Sequence, residues 1–242
     1  MPPILMMAAA LAPSQTAAGQ SFEALTQAGK DAPLCTAEGG LCVTGTRDGA
    51  FAITRDGKPV AQWTAKKEQD DDRFLALPSV LRLSDGSVLV GVGVRRTQMY
   101  SGGNAEVIFQ RLMLVRWGQE PSTVMEAPYS SDISIRACFS EKDMKHRLDA
   151  CADQYALTST LKPAAGTHGG MPDLTLAVKA TNYPRGVSRN SDSLAMPALT
   201  KADLVEETDT ACTYSRRYAF DTATRTYRPD APLPACEDFT VP

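Results

Sequence analysis

The chain has 242 residues, of which 43% are hydrophobic and 22% are charged, and its formal net charge is −3. These proportions lie close to the average of globular proteins and exclude collagen-like, coiled-coil and wholly disordered chains. The near balance of 25 basic and 28 acidic residues also argues against a nucleic-acid-binding protein, which needs clustered cations to displace counterions from phosphate.

An apolar run at the amino terminus, residues 4–12, resembles the hydrophobic region of an export signal. It is too short to span a bilayer as a helix. Thr16 and Ala18 supply the small residues of a cleavage site, although the usual positive charge before the run is missing. We expect a signal peptide over residues 1–18, with a short buried helix as the alternative. One disulfide-containing β domain is expected over residues 19–242, without a transmembrane segment in the mature chain.

Six cysteines, all beyond residue 18, form three groups of two that are close in sequence. An even number of cysteines in an exported chain predicts disulfides, and we expect sequential pairing. Zinc binding is the alternative, but no Cys-x-x-Cys motif occurs and the chain has only two histidines. Disulfides in turn indicate a periplasmic or extracellular location. The expected pairs are Cys35 with Cys42, Cys138 with Cys151, and Cys212 with Cys236.

Asp-Gly turns at Asp48, Asp56 and Asp85 predict β-hairpins, because both residues of such a turn need positive φ. Pro78 lies inside one of the predicted strands, which indicates a bend, a bulge or an edge there. The turns place strands over residues 41–46, 50–54, 59–64, 74–83 and 87–99.

The next hairpin, residues 88–99 with 106–117, is predicted around the loop from Ser101 to Asn104. We expect a register in which Val88 faces Trp117 and Val94 faces Arg111. Both faces of this hairpin then carry apolar residues, which predicts a central position covered on both sides.

The carboxyl-terminal half predicts more strands and one short helix, capped by Ser140 with acidic residues in its first turn. Residues 229–242 contain four prolines and are expected to form an extended tail tied down by Cys236. The fold class is therefore all-β and mainly antiparallel: a sandwich, an open barrel or a small propeller-like array. Further strands are expected over residues 132–139, 154–161, 173–181, 210–220 and 224–228.

Catalytic motifs are absent from the sequence, so an enzyme is the less favoured prediction. The Gly-x-Ser-x-Gly motif of α/β-hydrolases does not occur. His168, in a glycine-rich stretch, is a better acid–base candidate than His146. A carboxylate pair for glycoside hydrolysis is a further alternative, with Glu106 and Glu126 as candidate members.

Three consecutive carboxylates, Asp70, Asp71 and Asp72, are the one candidate metal site. Calcium prefers six to eight oxygen ligands from a flexible loop. The EF-hand spacing is missing, however, and a solvated charge run beside Lys66 and Lys67 is the alternative. No other cofactor is expected.

A row of aromatic and arginine side chains is the strongest candidate binding surface. Tyr214, Arg216 and Tyr218 alternate along one predicted strand and therefore share a face. Such residues are enriched in interaction surfaces, although their rings could instead fill the core. We expect an exported soluble binding module of the cell envelope that recognises a protein or a glycan. An envelope polysaccharide hydrolase and a purely structural secreted domain are the alternatives. Three more arginines are expected to extend the surface: Arg95, Arg96 and Arg111.

Overall fold

The structure is a computed structural model that describes residues 20–242. The predicted export signal, residues 1–18, lies outside this range. Strands make up 53% of the chain and helices 6%, which confirms the all-β prediction. None of the helices in the described range is long and apolar enough to cross a membrane.

The strands in chain order are β1 (Glu23–Ala24), β2 (Thr26–Gln27), β3 (Leu34–Cys35), β4 (Leu41–Gly45), β5 (Ala50–Arg55), β6 (Lys58–Thr64), β7 (Arg73–Arg82), β8 (Val88–Tyr100), β9 (Gly103–Val115), β10 (Ser122–Arg136), β11 (Ala152–His168), β12 (Met171–Tyr183), β13 (Glu207–Thr208), β14 (Tyr214–Asp221) and β15 (Thr226–Pro229). Two α-helices, α1 (Glu141–His146) and α2 (Glu237–Thr240), and one 3₁₀ turn (Lys201–Asp203) complete the described chain.

These strands form two antiparallel sheets. The smaller has the order β2-β3-β4-β5-β6, and the larger has the order β1-β7-β8-β9-β10-β11-β12-β14-β15, with β13 beside β12. Most neighbours in a sheet are also neighbours in sequence, as expected for a chain built from hairpins. The arrangement is consistent with a sandwich, and the described strands do not close into a barrel.

The β8–β9 hairpin is covered on both faces, as predicted. Val88, Val90, Val92 and Val94 pack with the small sheet in one apolar cluster. Leu89, on the opposite face, belongs to a second and larger cluster contributed mainly by β9–β12, β14 and the carboxyl terminus. The small sheet therefore covers one face of the large sheet near β7–β9.

The register predicted for this hairpin is wrong by two residues. Val88 faces Val115 and Val94 faces Phe109, because the turn contains only two residues, Ser101 and Gly102. A shift of two preserves the face on which each side chain lies, since the side-chain period of a strand is two. The predicted apolar faces are therefore correct although the partners differ.

Pro78 lies at a bulge, in agreement with its position in a predicted strand. The β7–β8 register shifts between Ala76 and Val80. Gly91 lies opposite this bulge, and a Cβ atom there would come within 2.9 Å of the Leu77 side chain. Glycine thus allows the leucine to lie against β8, where an added side chain would collide.

The predicted extended tail is wrong for the last residues. Residues 237–240 form α2, whose Phe239 is buried with its ring centroid 5.9 Å from that of Tyr155. Apolar burial fixes this short helix against the sheet. The other short helix begins as predicted, with the Ser140 hydroxyl accepting the Asp143 N–H at 3.2 Å.

Three disulfides join the cysteines in the sequential pairs expected above, and no cysteine is free. One ties β3 to β4, one links the two ends of the segment that contains α1, and one holds the start of α2 to the residues before β14. Disulfides form and persist in oxidising compartments, so the structure indicates such a compartment for this chain.

Candidate functional site

The three consecutive carboxylates point in different directions. Asp72 is fully buried and accepts the backbone N–H groups of Glu68 and Gln69, at 2.8 and 3.1 Å, and the Nε–H of Arg96 at 2.8 Å. Burial by itself would raise the pKa of Asp72, but these hydrogen bonds outweigh it and lower the pKa. Asp70 and Asp71 are exposed. Asp72 therefore anchors its own loop to the sheet.

No group of three or more His, Cys, Asp or Glu side chains within residues 20–242 is placed to hold a metal ion. The suggested calcium site at Asp70–Asp72 thus gains no support from the geometry, and calcium binding stays a prediction.

Two of the predicted binding arginines, Arg96 and Arg111, form ion pairs with carboxylates of the same chain. Arg96 contacts Asp72 and Glu68, and Arg111 contacts Glu68 as well as Glu126, with its Nε 2.7 Å from Oε2 of Glu126. The Arg111 Nη1 also donates to the Lys66 carbonyl at 2.7 Å. These arginines hold the acidic loop on the large sheet, and their charges already have partners.

The Tyr–Arg row of β14 lies on one face, as alternation predicts, but most of it is covered. Tyr218 is 3% exposed, and burial raises its pKa to about 12. The guanidinium of Arg216 lies 5.3 Å from the ring centroid of Tyr214 and donates to the Pro232 carbonyl at 3.2 Å. The row therefore contacts the core and the carboxyl-terminal segment, and its role in binding a partner stays a prediction.

The remaining predicted arginine, Arg95, lines a cleft that lies along the outer edge of β7, beside the end of β4. The volume of this cleft is about 930 Å³, compared with about 230 and 190 Å³ for two other cavities. Its size falls in the range typical of ligand-binding sites. The floor is formed by β7–β9 and the walls by the β2–β3 hairpin and the end of β4. Apolar side chains of Val43, Phe74, Leu75 and Ile108 contribute to the lining.

Three arginines of the cleft come from separate segments: Arg47, Arg73 and Arg95. Arg73 and Arg95 are direct cross-strand neighbours, and like charges in such positions repel. Arg95 is ion-paired with Glu106. Among the described residues, Arg73 donates only to two backbone carbonyls of the adjacent loop, at 3.1 and 3.3 Å. No carboxylate in residues 20–242 lies within 4.0 Å of the Arg47 guanidinium.

Acidic residues do not cancel this charge. The cleft contains two carboxylates, Asp31 on the β2–β3 hairpin and Glu106 on β9, against its three arginines. An excess of guanidinium groups in a concave site favours an anionic ligand, because each group presents a planar set of donors that fits carboxylate or phosphate.

Sequence reasoning did not identify Arg47 and Arg73 as site residues. Arg47 precedes an Asp-Gly turn and Arg73 follows the acidic run, so each resembles an ordinary solvated charge. Nothing in either local sequence indicates that the two segments meet in space.

The two acids considered for hydrolysis are not brought into one cavity. Glu106 lines the large cleft, whereas Glu126 lines one of the two small cavities and is paired with Arg111. The hydrolase alternative stays a prediction, with no paired-carboxylate geometry for these two residues.

His168 lies beside a buried acid at the tip of the β11–β12 hairpin. Its Nδ1 is 2.6 Å from Oδ1 of Asp173, whose other oxygen is 2.7 Å from Nη2 of Arg217. The His168 side chain is 53% exposed, and none of the three cavities includes it. The carboxylate of Asp173, on β12, thus contacts side chains of β11 and β14 outside the cleft.

Comparison with protein-family models, with curated proteins and with solved structures finds no match to this chain. The geometry of the cleft is therefore the basis of the functional proposal.

Proposed function

We propose that this protein is an exported binding module of the cell envelope whose ligand site is the arginine-lined cleft at the outer edge of β7, beside the small sheet. The observation that carries the proposal is the presence of Arg47 and Arg73 in a large cleft without a carboxylate partner among residues 20–242. Both arginines are exposed, so solvent satisfies them in the free protein and their donors remain available to an anionic ligand. The ligand therefore carries negative charge.

Export is supported by two independent features. The apolar run at residues 4–12 has the length and composition of the hydrophobic part of a signal peptide. The three disulfides fit a periplasmic or extracellular protein.

Binding explains the cleft better than catalysis does. A hydrolytic site needs a general acid and a second carboxylate at a suitable distance. Glu106, which lines the cleft, is instead ion-paired with Arg95. The two side chains form a charged part of the lining. Beside it, the partly exposed Leu75 and Ile108 supply apolar surface against which a ligand can pack.

The direct test is binding of two acidic probes, a uronic-acid trisaccharide and a short acidic peptide, each compared with a neutral counterpart of equal length. Calorimetry on the oxidised protein should show that at least one acidic probe binds while its neutral counterpart does not. Arg73→Ala should weaken that binding by about tenfold or more, because a charge-assisted hydrogen-bonded contact is lost. The affinity should also fall as the salt concentration rises.

Arg55→Ala is the matched control, because Arg55 is an exposed arginine at the end of β5 outside the cleft. It should leave binding unchanged. Failure of both acidic probes to bind, or an equal loss in Arg55→Ala, would contradict the proposal.

A further inference from the structure

The outer edge of β7 has backbone groups that no neighbouring strand uses. The Phe74 N–H donates to the Arg47 carbonyl at 3.1 Å, so the polar backbone groups of Phe74 point away from β8. Successive residues of an antiparallel strand point alternately toward and away from the partner. The N–H and C=O of Ala76 therefore also point outward. Pairing with β1 involves only Ser79 and Val80, beyond the bulge.

The end of β4 presents a second free edge to the same cleft. The Thr36 N–H donates to the Leu41 carbonyl at 2.9 Å, so the backbone groups of Leu41 point toward β3. Pairing with β3 stops at Val43, which faces Leu34. By the same alternation, the N–H and C=O of Gly45 point to this side, where residues 20–242 provide no strand beside them.

We propose that the cleft accepts an extended acidic segment of a partner protein, which adds as a strand to the outer edge of β7. This inference rests on the proposed function, because it names the ligand class of the same cleft. An unpaired strand edge is a template for another backbone, and peptides bind to such edges through main-chain hydrogen bonds. The groups available are the C=O of Phe74 and the N–H and C=O of Ala76, because the N–H of Phe74 already donates to Arg47.

The side chains around this edge indicate which peptide would fit. A residue placed opposite Leu75 would lie on the same face of the sheet as Arg73, which lies beside Arg95. An acidic side chain at that position would relieve the repulsion between the two arginines. On the other face, Phe74 is 3% exposed and belongs to the apolar cluster with the small sheet. Alternating acidic and apolar residues would therefore match the two faces.

The usable edge is short. It lies between the hydrogen bond from Phe74 to Arg47 and the one from the Leu25 N–H to the Pro78 carbonyl, at 2.9 Å. A segment of a few residues would fill it, and its charged side chains would lie toward the open end of the cleft near Arg47.

The test uses an acetylated heptapeptide with alternating valine and glutamate, and the same peptide with N-methyl groups on alternate backbone amides. The unmodified peptide should bind the oxidised protein. Methyl groups on the set of alternate amides that faces β7 block its hydrogen bonds and should weaken binding by about tenfold or more. Methyl groups on the other set should have a smaller effect, because those amides point away from β7.

The protein-side test is Ala76→Pro, which removes the outward N–H. Proline is tolerated at an edge position whose N–H does not pair within the sheet. Ala76→Ser, which keeps the N–H, is the matched control. We expect Ala76→Pro to weaken the heptapeptide by about tenfold or more and Ala76→Ser to leave it nearly unchanged. If Ala76→Pro does not fold, the methylated peptides still decide the result on the unmodified protein.

The outcomes separate the two proposals. Binding of the uronic-acid trisaccharide with no binding of the heptapeptide would overturn strand addition while leaving the anionic cleft in place. Equal binding of both methylated peptides and the unmodified peptide would also overturn it. Failure of every acidic probe would overturn the proposed function itself, and the arginines would then serve to protect a free edge from unwanted pairing.

Discussion

Asp72 shows how a single buried carboxylate organises the acidic loop. Its side chain has no exposed surface, and it receives two backbone N–H groups and the Arg96 guanidinium. Removing one partner of a buried ion pair leaves the other charge uncompensated, which costs more than losing an exposed pair. Within the acidic run, Asp72 therefore acts as a structural anchor.

Stability should depend on pH through this residue. The pKa of Asp72 in the folded chain is below its ordinary value of 3.8. Its stabilising contribution is therefore present above about pH 4 and is lost as the pH falls through the folded pKa. Asp72→Asn should lower the free energy of unfolding by about 3 kcal/mol at pH 7, and by less at pH 3. Urea unfolding at both pH values measures this.

Asp71→Asn is the control for this prediction, because Asp71 is exposed. It should change stability little at either pH. Equal destabilisation by Asp72→Asn at pH 7 and at pH 3 would contradict the assigned role.

At the scale of the elements, the β8–β9 hairpin depends on Gly103. A Cβ atom at this position would lie 2.0 Å from the Ser134 carbonyl oxygen of β10, so only glycine fits between the strands. Gly103 and Asn104 resemble loop residues in sequence, yet they pair with Ile135 and Ser134. This pairing shortens the turn and explains the two-residue error in the predicted register.

Gly103→Ala should therefore destabilise the protein by about 1–3 kcal/mol, the usual cost of inserting volume into a packed site. Gly29→Ala is the control, since a Cβ atom there meets nothing within 4 Å. Chemical unfolding of the two variants gives the comparison, and similar stabilities would contradict the close-contact explanation.

The elements that the sequence predicted best are those with strong local signals. The Asp-Gly turns at residues 48–49, 56–57 and 85–86 placed the hairpins of β4–β8 within one or two residues of their observed bounds. The first half of β10 was missed because two register shifts and Pro128 interrupt its alternation. Helix α2 was missed because its four residues are fixed by long-range burial of Phe239 and carry no helical periodicity.

At the scale of the whole molecule, the candidate site depends on packing between the sheets. Arg47 follows β4 in the small sheet, whereas Arg73 and Arg95 belong to β7 and β8 of the large one. Each arginine lies in a hairpin that the sequence predicts, but the approach of β4 to β7 is a long-range contact. Sequence alone predicted Arg95 as a binding residue, together with Arg96 and Arg111. The structure pairs Arg96 and Arg111 with carboxylates of the same chain.

The measurement that tests the central claim most directly is two-dimensional ¹H–¹⁵N NMR of the oxidised protein during titration with the acidic heptapeptide and with the uronic-acid trisaccharide. A ligand in the cleft predicts the largest shifts at the backbone amides of Gly45, Phe74, Ala76 and Arg95. Shifts confined to the Tyr214–Tyr218 segment of β14, or no saturable shifts with either probe, would contradict the cleft as the binding site.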